Sequence, residues 1–307
     1  MLVRNGIARQ TDPDMATPDL IDQPLRLQRL LRAARRRVAG ADFLMIRACE
    51  DLLERLMVVD RRFEAPVALF SRTPDAASAI AASGRASGPV RRVEQHTTFL
   101  GDEPGVIAPD PGKLDLEAQS ADLVVCVNAM HAVDDVSRLL ATVRHALRPD
   151  GLFMAAIPAA GTLLELRESL LAAEAESGAA SPHVLPFVDI RQAGALLQQA
   201  GFALPVTDVE TVTIRYDDMF ALMADLRAMG ETNPLLDRAR KPATRALFAR
   251  AAAHYAARFA DGDGRIRATF NTVWMSGWAP HPAQPRPLRP GSATVPLARV
   301  LRGSEER

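Results

Sequence analysis

Apolar and polar positions change period several times along the 307-residue chain. From Leu25 to Val38 the residues Leu27, Leu30, Leu31, Ala34 and Val38 recur every three or four positions, the spacing of one helix face. The opposite face carries Arg26, Arg29, Arg32, Arg35, Arg36 and Arg37, and reads either as a solvated surface or as a docking surface for an acidic partner. A second stripe, Met45, Cys49, Leu52, Leu53 and Leu56, predicts a helix from about Asp42, its N-cap, to Val59. The period then shortens. Pro66–Phe70, Ala121–Asn128 and Leu152–Ile157 are near-continuous apolar runs, as in strands buried on both faces. Arg91–Phe99 and Val106–Ala108 are further strand candidates, Val206–Tyr216 alternates Thr and Val, and Arg265–Trp278 is a long final strand. Between them lie helical segments: an Ala-rich one to about Ser83, capped by Thr73 with Pro74 at its first position; Asp134–Leu147; one near Thr162 with a capping box from Thr162 and Glu165; Asp189–Ala200, stopped by Gly201; Asp217–Met229; and Ala243–Phe259.

Strands separated by helices imply an α/β fold, a parallel sheet with helices on both faces. Three parts are expected: an N-terminal arm and helices over 1–64, the α/β domain over 65–280 with a helical cap at about 217–260, and a Pro-rich tail over 281–307.

Composition narrows the chemistry. Thirty-seven basic residues balance thirty-seven acidic ones, which excludes a general nucleic-acid-binding surface. Two cysteines, Cys49 and Cys126, form neither a disulfide framework nor a zinc cluster, and both read as buried thiols of a reducing compartment. No apolar run approaches the ~20 residues of a membrane span, and the first fourteen positions lack the apolar core of a secretory signal, so a cytoplasmic location is expected. Asp261-Gly-Asp-Gly264 lacks the rest of a calcium loop and reads as a tight turn; no metal site is expected.

Five strand–helix units followed by two later strands suggest the Rossmann-like, seven-stranded sheet of class I methyltransferases, and the motifs strengthen this. Asp122-Leu-Val-Val-Cys-Val-Asn-Ala-Met-His131-Ala-Val-Asp134 resembles a strand and loop of S-adenosylmethionine (SAM)-dependent methyltransferases, and Ala146-Leu-Arg-Pro-Asp-Gly-Leu-Phe153 resembles their next block. Thr162–Arg167, Ser181–Phe187, Met219–Asn233, Asp263–Thr269 and Gly277–His281 through Gly291–Ala293 look like the family of mitochondrial complex I assembly factor 5, a relative of the biotin-synthesis methyltransferase. The resemblance implies SAM as cofactor and a protein or carrier-protein substrate, including a subunit of respiratory complex I.

In that family a glycine-rich turn after the first strand admits the cofactor, because only glycine leaves room for such close approach. Here the block reads Val67-Ala-Leu-Phe-Ser-Arg-Thr-Pro74: Ala68 replaces the acid, Phe70 the first glycine and Pro74 the last. Phe70 is expected to put its ring where the cofactor's methionine part would lie. The cofactor-side candidates are Ser71, Thr73, Glu94 for the ribose, Asp110 for the adenine, Asn128 and Met130. His131 and His183 are the catalytic candidates, and Arg167, Ser181, Asp189 and Arg227 the substrate-binding ones. Two functions stay open: a SAM-dependent methyltransferase, or a non-catalytic binding or assembly module whose cofactor cleft has closed.

Overall fold

A computed structural model of the chain describes residues 19–176, 178 and 181–284. The arm before residue 19, most of the expected tail and the Gly291–Ala293 motif lie outside these. The elements run α1 (Gln23–Arg36), α2 (Phe43–Met57), β1 (Pro66–Leu69), α3 (Asp75–Ala82), β2 (Arg91–Glu94), α4 (Thr97–Leu100), β3 (Gly105–Ile107), β4 (Ala121–Val127), α5 (Val136–Ala146), β5 (Leu147–Pro158), α6 (Leu164–Ala175), α7 (Ile190–Gln199), β6 (Ala203–Tyr216), α8 (Met219–Met229), α9 (Arg245–Phe259) and β7 (Ile266–Trp278).

The sheet has seven strands in the order β3-β2-β1-β4-β5-β7-β6. The first five are parallel, and β7 runs antiparallel between β5 and β6. Chain order reverses between β1 and β4, which leaves a crevice outside the carboxyl ends of the strands, where doubly wound sheets bind their ligands. Side chains alternate across the sheet. Val67, Leu69, Val124 and Cys126 pack with Leu140 and Val143 of α5 and Leu197 of α7. Ala68, Leu123, Val125 and Val127 pack on the other face with Leu52 of α2 and Ile80 of α3. A third core lies under the cap, where α6, α8 and α9 close on Tyr216, Ile266, Ala268 and Phe270. Both thiols are free and buried, and burial pushes each up to about 12.

Three local expectations are corrected. The strand at Arg91 ends at Glu94, because His96 caps a helical turn that takes up Phe99. Thr73 does not cap α3: Pro74 holds the cap position and Thr73 Oγ1 has no partner. Thr162 and Glu165 form no capping box. Thr162 Oγ1 bonds the Asn271 backbone and the Glu165 carboxylate accepts from Thr269, so both residues tie α6 to β7 rather than closing their own helix. At the β6–β7 end, Asp261 and Asp263 pair with Arg215 across a turn. Among the described residues no cluster of metal-ligating side chains occurs, and no helix is long and apolar enough to cross a membrane.

Candidate functional site

A cavity of about 1380 Å³ opens at the carboxyl ends of β1 and β4, between α1, the 181–187 loop and the cap. Its inner end is formed by Arg72 and Thr73 after β1, Asn128 and His131 after β4, and Glu231 after α8.

The turn after β1 keeps the backbone shape of a glycine turn without the glycines. Phe70 has φ +52° and Arg72 φ +64°, left-handed values that cost a side-chain-bearing residue about 1 kcal/mol or more. The Phe70 ring does not enter the cavity, contrary to expectation. It is 2% exposed and belongs to the same core as Leu69. Its positive φ breaks the strand's alternation and turns two successive side chains to one face, while its N–H still bonds Val93 O at 2.7 Å.

Behind this turn sits a network of charges. The Glu94 carboxylate is 0% exposed; it accepts the Arg72 N–H at 3.1 and 3.2 Å and Arg92 Nη2 at 3.0 Å. Arg92 also donates to Glu103 and to Phe99 O. Arg72 reaches back across the turn, its Nη1 2.7 Å from Glu231 Oε1, and His131 Nε2 stands 3.6 Å from the other Glu231 oxygen. Arg26 of α1 is 3% exposed and donates to Gln95 Oε1 at 3.4 Å, while Glu231 is its chief electrostatic counterpart. Burial opposes the charge on Glu231, yet Arg72, His131 and Arg26 outweigh it and hold this carboxyl well below the usual range. Burial lowers His131, against the pull of Glu231. The segment before α1 is fastened over the network. Leu20 N, Ile21 N and Gln23 Nε2 all donate to Asp134, Asp22 N donates to Pro234 O, and Arg238 pairs with Asp22.

Glu94 gives a pH signature. Burial, against the Arg72 and Arg92 contacts, raises it to about 7. Between the ordinary carboxylate value and about 7 the folded protein therefore binds a proton that the unfolded chain has lost. Stability contributed at this site falls as pH rises through that window. The Glu94→Gln variant flattens this slope, as read from urea midpoints between pH 4.5 and 8.

The sequence candidates separate accordingly. Thr73, Asn128, His131, His183 and Arg227 line the cavity. Ser71 is buried with its Oγ unpartnered, and Met130 lies in the core. Glu94 is internally satisfied. Asp110 caps a short 3-10 turn and pairs with Lys113. Arg167 is exposed on α6 away from the cavity, and Asp189 closes the capping box of α7. Ser181 binds Glu174, together with His183. A Ser–His–acid relay needs one ring nitrogen for each partner. Here Nε2 faces both Glu174 at 2.8 Å and Ser181 Oγ at 3.4 Å, and Ser181 Oγ itself lies 2.8 Å from Glu174, so the trio braces the 181–187 loop. Arg26 and Glu231 escaped the sequence reading. Their only signal was one cation among several on an arginine-rich helix and an acid inside the Met219–Asn233 block.

The residues after β1 and β2 do not fit SAM at the family's usual position. A carboxylate must be free for the ribose, but Glu94 is fully enclosed.

Comparison with known proteins gives the lineage. The chain is 41% identical over 180 residues to the mitochondrial arginine hydroxylase NDUFAF5 of Dictyostelium discoideum, a match covering 58% of this chain and 41% of that protein. It is 39% identical over 197 residues to the mouse protein of the same name, covering 64% and 57%. It is 33% identical over 171 residues to the malonyl-[acyl-carrier protein] O-methyltransferase of Xylella fastidiosa, covering 56% of each. The chain thus spans about half the length of the curated relatives it matches. A crystal structure of a putative methyltransferase from Bacillus halodurans superposes with TM-score 0.52 over 75% of this chain and 98% of the other; at 12% identity this establishes the fold alone. A family model described as a methyltransferase domain matches residues 29–205, more than half of the sequence. With the strand order and the crevice at the β1/β4 reversal, this match makes the chain a member of the methyltransferase-domain family.

Proposed function

We propose that this chain is a methyltransferase-fold binding or assembly module acting on a protein or carrier-protein partner, its cofactor position closed by its own charges. The observation that carries the reading is the enclosed Glu94 carboxylate, gripped by the Arg72 amide and Arg92 where a ribose would need it. The name of one relative supports a macromolecular partner: the Xylella fastidiosa protein acts on an acyl-carrier protein. A role in complex I assembly, in the cytoplasm, belongs to this proposal through the resemblance to the assembly-factor family.

A second reading, SAM-dependent methyl transfer to such a partner, is favoured by family membership and by Thr73, Asn128 and His131 standing along the cavity. Titration calorimetry separates the two. The first expects no heat with SAM at millimolar concentration on a folded protein; saturable binding overturns it.

A further inference from the structure

Beyond the charge network, the cavity has a distinct outer part. One wall is apolar, built by Leu166 and Leu170 of α6, Met223 of α8 and Phe248 of α9. The mouth is cationic. Nine arginines and lysines line the cavity against three carboxylates, Asp42, Glu103 and Glu231, and the last two already pair with Arg92 and Arg72. The side chains of Arg32, Arg37, Arg227 and Lys241 have no hydrogen bond or ion pair among the described residues. At the inner end, Thr73 Oγ1 and His131 Nδ1 are buried without a partner, an arrangement that favours a ligand able to satisfy them. The His131 side chain is 6% exposed, and with its Nε2 directed at Glu231, Nδ1 is left as an acceptor.

We propose that the cavity receives an extended acidic segment of a partner protein. Its apolar side chains lie on the Leu166–Leu170–Met223 wall, its carboxylates at the Arg32, Arg37, Arg227 and Lys241 mouth, and its main chain against Thr73 and His131. Three features favour a peptide over a small molecule. The volume of about 1380 Å³ exceeds the ~300–1,000 Å³ of ordinary small-ligand sites. A peptide main chain supplies both the donor that His131 Nδ1 needs and an acceptor for the Thr73 hydroxyl. Alternating side chains of an extended strand address an apolar wall and a charged one together. The chain's own end is the wrong sign, since 285–307 carries Arg286, Arg289, Arg299, Arg302 and Arg307 against Glu305 and Glu306. The inference rests on the binding-module reading and names the chemistry of its partner.

The test is fluorescence anisotropy on the full chain. The probes are a labelled synthetic ten-residue peptide alternating Leu and Asp, the same peptide with Lys for Asp, and laurate as competitor. The Asp peptide is expected to bind at micromolar concentration, at least about tenfold tighter than the Lys peptide, and to weaken as salt is raised from about 0.05 to 0.5 M. Arg227→Glu with Lys241→Glu should weaken it at least about tenfold at an unchanged melting temperature, because both residues are exposed and unpaired. Equal binding of the two peptides, indifference to the double reversal, or displacement by laurate at lower concentration than unlabelled Asp peptide would each overturn the inference. SAM calorimetry stays separate. Heat with SAM alongside a preserved Asp-peptide preference sinks only the non-catalytic reading; no heat and no peptide preference sinks only this one.

Discussion

Glu231→Ala is expected to lower stability by about 3 kcal/mol, the lower end of the cost of breaking a buried ion pair, because Glu231 retains some contact with solvent. For a chain of this size that is a fall of roughly 6–12 °C in melting temperature. The loss arises mostly from what remains. Arg26, 3% exposed, would keep only a 3.4 Å contact with Gln95, and Arg72 would point its guanidinium at an emptied position. The cycle with Arg26→Met makes the argument specific. If the penalty is an uncompensated buried cation, Arg26→Met should recover a large part of it in the Glu231→Ala background. If Glu231 merely packs, the two losses should add. The pH dependence has a defined sign. Glu231 is held below its unfolded value, so its contribution is complete above the ordinary carboxylate range and is lost as pH falls through the lowered one. Urea melts of wild type and variant should therefore converge under acid and differ by a constant amount near neutrality.

The Phe70→Gly, Pro74→Gly pair puts glycine at the two positions where the resemblance leads one to expect it, and is expected to gain no affinity for SAM. It should instead lose about 2–4 kcal/mol of stability. Emptying a buried phenylalanine site costs about 3–5 kcal/mol, offset by about 1 kcal/mol because glycine accepts the φ of +52° without strain. The expectation follows from where the ring lies: it fills the core beneath β1 and leaves the cavity clear. Calorimetry with SAM and a thermal melt on the same preparation check both halves. A gain of measurable SAM affinity would overturn this expectation and point to the turn, rather than to the Glu94 and Glu231 network behind it.

Most of the architecture was legible because buried parallel strands and amphipathic helices write themselves in hydrophobic period. Ala121–Val127 and the α2 stripe are examples. What failed was local and polar. Thr162 and Glu165 satisfy the spacing of a capping box, but the partners that won, Asn271 and Thr269, are more than a hundred residues away. The candidate site was half legible for the same reason. Family position marked His131, Asn128 and Thr73, which the fold brings to one cavity. Nothing in the neighbourhood of Glu94 announced that Arg72 and Arg92 would enclose it, and nothing in a run of six helix arginines singled out Arg26. The turn did carry information: Phe70 stands where a glycine was expected and its backbone holds a glycine-like φ of +52°, while Pro74, at the other expected glycine, does not.

The fastening at the start of α1 has a kinetic consequence. Leu20 and Ile21 find Asp134 across 114 and 113 residues, and Arg238 finds Asp22 across 216. Such distant closures cost the most chain entropy and form late, after the locally wired sheet has condensed. The clasp should accordingly be among the earliest parts to release, so amide protons of Leu20 and Ile21 should exchange well ahead of those in β4.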